Sequence, residues 1–305
     1  MSSPTEAEQR QEDDLVPLKI GGPTYNRKYT KEKLKSLTAK IEKETPIYED
    51  FKIRNDQPSV IFLTEDHETA LRYAIHAPAA IDALHQPCIL MYTDGSAKGR
   101  FAGFSVTHKR FSMSDTETNN NQWIDAVYGL HGVSESQFAE TLAVNRALWN
   151  AYYEILHWTE HNQGVVHDKH HIAPRVIIIS DNAGAIQYFQ RCYKNIKAKS
   201  GLANEFKDKA LDPLQLLLRM GGNIELRWTP GHVDVEGNCR ADRLATIGTY
   251  YARRISVTEK FDVERAILPF VAFSKTEGPR KISPFLISCT GSERRQDTFF
   301  KGYYN

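Results

Sequence analysis

The run "RVIIISD" at 175–181 constrains the fold more than any other stretch of this chain. Val176 to Ile179 are all apolar and β-branched, with no polar residue alternating between them. A strand with two apolar faces is stable only in a sheet that is covered on both sides, so helices must lie above and below it. The neighbouring patterns supply the rest of such a sheet. "CILMYTD" (88–94), "FAGFSVTHKR" (101–110) and "QWIDAVYGLHG" (122–132) are three strand-like runs with short connections, the pattern of an antiparallel meander. "SESQFAETLAVNRALWNAYYEILHW" (134–158) has apolar residues at helical spacing. Its Ala139, Ala143, Ala147 and Ala151 fall on one line, which lets a helix lie close to a sheet. Beyond Asp181 the patterns read as the helices "NAGAIQYFQRCY" and "LDPLQLLLRM", the strand "NIELRWTP" and the helix "GNCRADRLATIGTYYARR". The order βββαβαβα predicts an α/β (α+β layers) architecture. Its core is a mixed five-stranded sheet, three antiparallel strands and then parallel ones, flanked by helices.

The flanks divide the 305 residues further. Residues 1–25 begin with a polar, mostly acidic stretch that has too little apolar surface to order, and are expected to be a disordered tail. Residues 26–86 form an N-terminal extension. In it, Asn26–Glu44 reads as a lysine-rich exposed helix with a thin stripe of Leu34, Leu37 and Ile41. "SVIFL" (59–63) then reads as a strand, and Thr64 as the cap of a helix that ends before Pro78. Residues 87–255 form the main domain. Residues 256–305 are a C-terminal extension containing the apolar pieces "ERAILPFVAF" and "SPFLISC".

Composition narrows the function classes. With 41% hydrophobic and 25% charged residues the chain is neither disordered throughout nor a membrane protein. No apolar run approaches membrane-spanning length and Met1–Gln11 lacks a secretory pattern, so an intracellular protein of nucleus or cytosol is expected. A net charge of +1 gives no global attraction to nucleic acid, leaving that to local clusters. Cys88, Cys192, Cys239 and Cys289 form no Cys-x-x-Cys pair and read as free thiols.

Four acidic residues stand out by position. Asp94 closes the first strand-like run, where Asp-Gly-Ser signals a turn; Glu140 lies in the long helix; Asp181 closes the apolar strand; Asp242 lies in the last helix. Singly they read as a turn residue, a helix surface charge, a helix cap and half of an exposed pair with Arg243. If the first and fourth strands are neighbours, however, their carboxylates emerge at one sheet edge, where the two helix-borne ones can meet them. Like charges so crowded repel unless compensated, and hard divalent cations with oxygen ligands are the usual compensation. Two such ions can serve phosphodiester cleavage.

The blocks "YTDGS", "ESQFAETLA", "IIISDNAGAI" and "RWTPGHVDVEGNCRADRLA" make the pattern specific. Together, in this order across about residues 88–255, they resemble the type 1 ribonuclease H family, most closely the modules attached to fungal non-LTR retrotransposon reverse transcriptases. The resemblance implies a ribonuclease H-like fold and an endonuclease that hydrolyses the RNA strand of RNA–DNA hybrids. It implies that Asp94, Glu140, Asp181 and Asp242 bind two Mg²⁺ ions, with Mn²⁺ as a possible substitute. His232 matches the histidine that assists proton movement and product release. Gly95, Ser96, Ser136, Gln137, Asn182 and Asn238 match substrate-binding positions, with Ser136 and Gln137 reading RNA 2′-hydroxyls. Ser136 stands where the family usually has asparagine. The basic stretch 190–209 falls where some members grip the hybrid backbone. Two features depart from the family: a longer, His-rich connection, "HNQGVVHDKHHIAPR", and the lack of a counterpart to the N-terminal hybrid-binding domain. "HWTEH" (157–161) matches an inverted zinc-protease pattern but has no evident third ligand. The rival readings are a catalytically idle nucleic-acid-binding module on the same scaffold and a metal nuclease acting on DNA.

Overall fold

A computed structural model describes residues 29–46, 51, 58–84, 88–111, 123–131, 133–161, 175–194, 201–258, 266–268, 273–274, 278–279 and 287–288. The expected tail, residues 112–122, most of the His-rich connection, Cys289 and most of the C-terminal extension lie outside these described residues.

The elements in chain order are α1 (Lys31–Ile41), β1 (Ser59–Leu63), α2 (His67–Leu84), β2 (Cys88–Lys98), β3 (Phe101–Phe111), β4 (Trp123–His131), α3 (Ser136–His161), β5 (Arg175–Ser180), α4 (Ala183–Tyr193), α5 (Gly201–Arg219), β6 (Asn223–Trp228) and α6 (Glu236–Thr258). The strands form one mixed sheet in the order β1-β6-β5-β2-β3-β4. β2, β3 and β4 are antiparallel, while β1, β6, β5 and β2 run parallel. The mixed sheet between helices is as expected, but the strand number is not. β1 joins the sheet parallel to β6, adding a sixth strand. β7 (Ala266–Leu268) extends it antiparallel to β4, and Ile287–Ser288 pairs with β7. β1 was invisible as a sheet member because its partner lies more than 160 residues away in sequence.

All six residues of β5 are buried, in line with its uninterrupted apolar pattern. One face of the sheet packs Ile89, Met91, Phe104, Val176, Ile178 and Leu226 against α3, α4 and α5. The four alanines of α3 are fully buried, so this helix lies close to β2 and β3. The opposite face packs Leu90, Tyr92, Ile177 and Ile179 against α1 and α2 together with Ala241 of α6.

Two local expectations need correction. Asp66, not Thr64, caps α2: its carboxylate accepts from the backbone N–H groups of Glu68 and Thr69 and from the Thr69 hydroxyl. Nor does α2 stop before Pro78; it continues through it to Leu84. Proline leaves the carbonyl four residues earlier, that of Ala74, without its helical donor. Here the Tyr92 hydroxyl donates to Ala74 O at 3.0 Å and takes that donor's place.

β5, β6 and α2 are also tied by a buried charge network. Arg175 donates through Nε to Glu225 Oε1 (2.8 Å), through Nη2 to the Tyr73 hydroxyl (3.2 Å) and through Nη1 to the Phe51 carbonyl. Arg227 donates through Nε to Glu225 Oε2 (2.7 Å) and pairs with Glu65 at 3.0 Å. Burial alone would raise the Glu225 pKa, but the two arginines together hold it below the usual carboxylate value. A depressed folded-state pKa contributes stability above the unfolded value and loses it as pH falls. Glu225→Gln leaves the buried Arg175 guanidinium without its counter-charge, while the half-buried Arg227 keeps Glu65, and is expected to destabilise the fold by about 3 kcal/mol near neutral pH. In acid the gap to wild type should narrow as Glu225 protonates. Urea unfolding at neutral and acidic pH checks both points; a gap that widens in acid would refute the account.

Candidate active site

The parallel register of β2 and β5 positions the site. Thr93 pairs with Ser180, so Asp94 and Asp181 are the next residues on adjacent strands. Asp94 is not a turn residue. β2 continues to Lys98, Asp94 pairs with Ser105 of β3, and the hairpin turns instead at Gly99–Arg100, where Gly99 takes φ +66°. The antiparallel partner keeps β2 extended after its parallel neighbour has ended. Asp181 also lacks the cap role, because Asn182 caps α4 by accepting from Ala185 N–H at 2.9 Å.

α3 brings Glu140 to this edge by crossing close to β2. A Cβ on Gly95 would lie 2.3 Å from the Glu140 backbone nitrogen, so only glycine allows this approach. The carboxylates of Asp94, Glu140 and Asp181 each offer an oxygen, and these oxygens lie within 4.8 Å of one another. Asp94 and Glu140 are buried, and Glu140 Oε2 has no hydrogen-bond partner. The pKa values of Asp94 and Glu140 are driven well above the carboxylate range, first by burial and then by neighbouring carboxylates. Hydrogen bonds from the Gly95 backbone and the Asn182 side chain pull Glu140 the other way. The pKa of Asp181 is also raised, chiefly by burial.

The other expected residues surround this triad. Asp242 stands at the rim, outside the group of converging oxygens, with its side chain 42% exposed. His232 is largely exposed, with Nδ1 at 4.0 Å from Asp242 Oδ2. Ser136 is exposed and its hydroxyl donates to Gly95 O at 3.4 Å. The Gln137 amide lies beside Gly184 in the first turn of α4. Ser96 is half-buried, and its carbonyl accepts from the Thr249 hydroxyl. Asn238 is buried, and its amide donates to Asp181 Oδ2 at 3.3 Å. Two further residues hold Asp181: the Trp228 indole donates to its backbone carbonyl at 2.9 Å, and a Cβ on Gly231 would lie 2.4 Å from its Oδ2. Both lie in the Trp-x-Pro-Gly-His block, but sequence alone assigns them no role. Of the "HWTEH" pattern, the backbone is helical and the His157 and His161 side chains lie outside the described residues.

This donor set fits a hard divalent cation. It is all oxygen, it gathers three carboxyl groups, two of them buried, and it includes one buried oxygen without a donor.

No protein-family model and no curated protein matches the chain. Among solved structures it is similar to the N-terminal RNase H domain of Rv2228c from Mycobacterium tuberculosis, with 14% identity and a TM-score of 0.37 over 56% of this chain and 99% of that one. It is similar to LC11-RNase H1, isolated from compost, with 21% identity and a TM-score of 0.36 over 55% and 99% of the two chains. Against LC11-RNase H1 in complex with an RNA/DNA hybrid the figures are 20%, 0.35, 54% and 99%.

Burial and neighbouring carboxylates make the Glu140 carboxylate costly to fold, and a neutral amide at that position avoids the cost. Glu140→Gln is expected to raise metal-free stability by about 1 kcal/mol and to shrink the rise in melting temperature on adding Mg²⁺. Thermal unfolding with and without Mg²⁺ checks this. A variant less stable than wild type in chelator, with an undiminished Mg²⁺ shift, would contradict it.

Proposed function

We propose that this chain is a type 1 ribonuclease H, a metal-dependent endonuclease that hydrolyses the RNA strand of RNA–DNA hybrids. One observation carries the reading: carboxylates from three separate sequence blocks, Asp94, Glu140 and Asp181, converge at the sheet edge expected for them. The finer relation, to modules of fungal non-LTR retrotransposons, rests on the sequence blocks alone.

Asp94, Glu140 and Asp181, with Asp242 at the rim, would hold two Mg²⁺ ions, for which Mn²⁺ can substitute. When bound, such a pair activates a water and stabilises the leaving oxygen of a phosphodiester. The protein's own residues do the rest. Asn238 and Trp228 hold the Asp181 side chain and backbone, and Gly231 leaves room for its carboxylate, so the donor set is preorganised. Ser136 and Gln137, exposed at the start of α3, face the minor groove of a hybrid, where the 2′-hydroxyl distinguishes RNA from DNA. Gly95, Ser96 and Asn182 line the same edge and complete the substrate contacts. His232, exposed beside Asp242, moves a proton at a ring nitrogen and helps the product leave. Arg191 and Lys194, exposed at the end of α4, begin the basic stretch that would grip the hybrid backbone without reading sequence.

The test is a gel assay of the purified chain with Mg²⁺ on a labelled RNA–DNA hybrid, double-stranded RNA and double-stranded DNA. Only the RNA strand of the hybrid should be cut, and Asp94→Asn or Asp181→Asn should abolish cutting while leaving the circular dichroism spectrum unchanged. Near-normal cleavage by either variant would sink the assignment. Hybrid binding without cleavage in Mg²⁺ or Mn²⁺ would instead favour the idle module.

A further inference from the structure

The loop 229–235, between β6 and α6, carries His232 and adopts an unfavourable backbone. His232 (φ 56°) and Asp234 (φ 64°) are both left-handed and neither is glycine. Such residues persist only where their surroundings over-determine them. Much of what surrounds this loop comes from the N-terminal segment, outside the four sequence blocks. The Thr38 hydroxyl on α1 donates its single proton to the Val233 carbonyl at 2.8 Å in a buried contact, the shorter of two competing acceptors, with Leu34 O of its own helix at 3.0 Å. That carbonyl lies between the two left-handed residues. Lys35, one helical turn earlier, pairs with Asp234 at 3.0 Å. Val233 and Val235 are buried in the same apolar cluster as Ile41, with Leu34 and Leu37 packed against it. The other end of the loop is met as well. Tyr29 stacks on His67 (5.2 Å, 12°), and His67 meets the edge of Trp228 (5.1 Å, 84°), the residue immediately before the loop.

We propose that α1, the helix expected to be a solvated basic face, is an intramolecular clamp that positions His232, with Thr38 as its principal positioning residue. His232 has little of its own to hold it, being largely exposed with Asp242 4.0 Å away. Its placement therefore depends on the conformation of the loop beneath it. Thr38 acts by locking the Val233 carbonyl, and the valines anchor the loop to the apolar underside of α1. The exposed Lys35–Asp234 pair adds little energy and serves register. The inference rests on the proposed nuclease function for its catalytic consequence but not for its structural content.

The test compares the full chain with its Thr38→Val and Thr38→Ser variants, alone and combined with His232→Ala. Valine keeps the shape of threonine and removes the hydroxyl, whereas serine restores it. Thr38→Val should lower kcat on a hybrid roughly 2–10-fold, the loss of one net hydrogen bond. KM should be unchanged, and Thr38→Ser should behave as wild type. In the His232→Ala background Thr38→Val should add nothing, since both act through the same group. An equal loss with and without His232, or no loss at all, would overturn the proposal.

Hydrogen exchange supplies a readout independent of activity. Thr38→Val, but not Thr38→Ser, should raise amide exchange across 229–235 and leave β2 and β5 unchanged. Unchanged exchange in the loop overturns the clamp whether or not the chain cuts RNA. If exchange rises as expected in a chain that cuts no hybrid, the clamp stands and the nuclease reading fails.

Discussion

The parallel pairing of β2 with β5 is the constraint from which the site follows. The ladder ends at Thr93 and Ser180, so the next side chain of each strand is a carboxylate at the same edge of the same sheet. Both strands are buried on both faces, so neither can slip or bend away to separate the charges. The apolar core thus enforces an electrostatic conflict at its own margin. α3 sharpens it by bringing Glu140 over Gly95, at a distance only a residue without a side chain permits.

Two buried charge clusters lie on this one sheet and are built on opposite principles. Around Glu225, each carboxylate oxygen has an arginine donor, and the tyrosine and backbone groups nearby complete the set. Its charges are matched internally, so it joins β5, β6 and α2 into one unit. Around Asp94 the donors are few: the Gly95 backbone, Asn182 and Asn238 offer hydrogen bonds, and Glu140 Oε2 has none. That cluster has more acceptors than internal donors, and its crowding is relieved by protons taken up by the carboxylates, as their raised pKa values indicate. The closed cluster holds β5 at Arg175, the opposite end of the strand from Asp181.

Much of this was legible in the sequence because the signals were local. The unbroken apolar run of β5 and the alanine line of α3 each carry their own periodicity, and both are buried as their patterns require. The convergence of Asp94, Glu140 and Asp181 was readable from strand ends and a helix position once adjacent strands were assumed. What escaped involves partners far apart in the chain. Pro78 reads as a helix stop unless it is known that Tyr92 supplies the missing donor. Asp94 reads as a turn unless it is known that β3 pairs beyond the end of β5. α1 reads as a solvated face because a thin stripe of Leu34, Leu37 and Ile41 does not reveal that Val233 and Val235 wait to cover it. Thr38, an ordinary helix residue by every local measure, gave no sign at all.

The docking of β1 on β6 reaches beyond the site. β6 is the last parallel strand of the motif-bearing region, and its outer row of backbone donors and acceptors is occupied by a five-residue strand from the N-terminal segment. A fragment beginning at β2 would keep all four acidic residues yet bare that row along Asn223–Arg227, in a mostly buried strand. Naked edges of this kind pair with whatever strand they meet, including copies of themselves. The portion of the chain that holds the four acidic residues therefore does not close its own sheet edge. The preceding segment covers that edge, so trimming to the four blocks would leave it open to pairing with other strands.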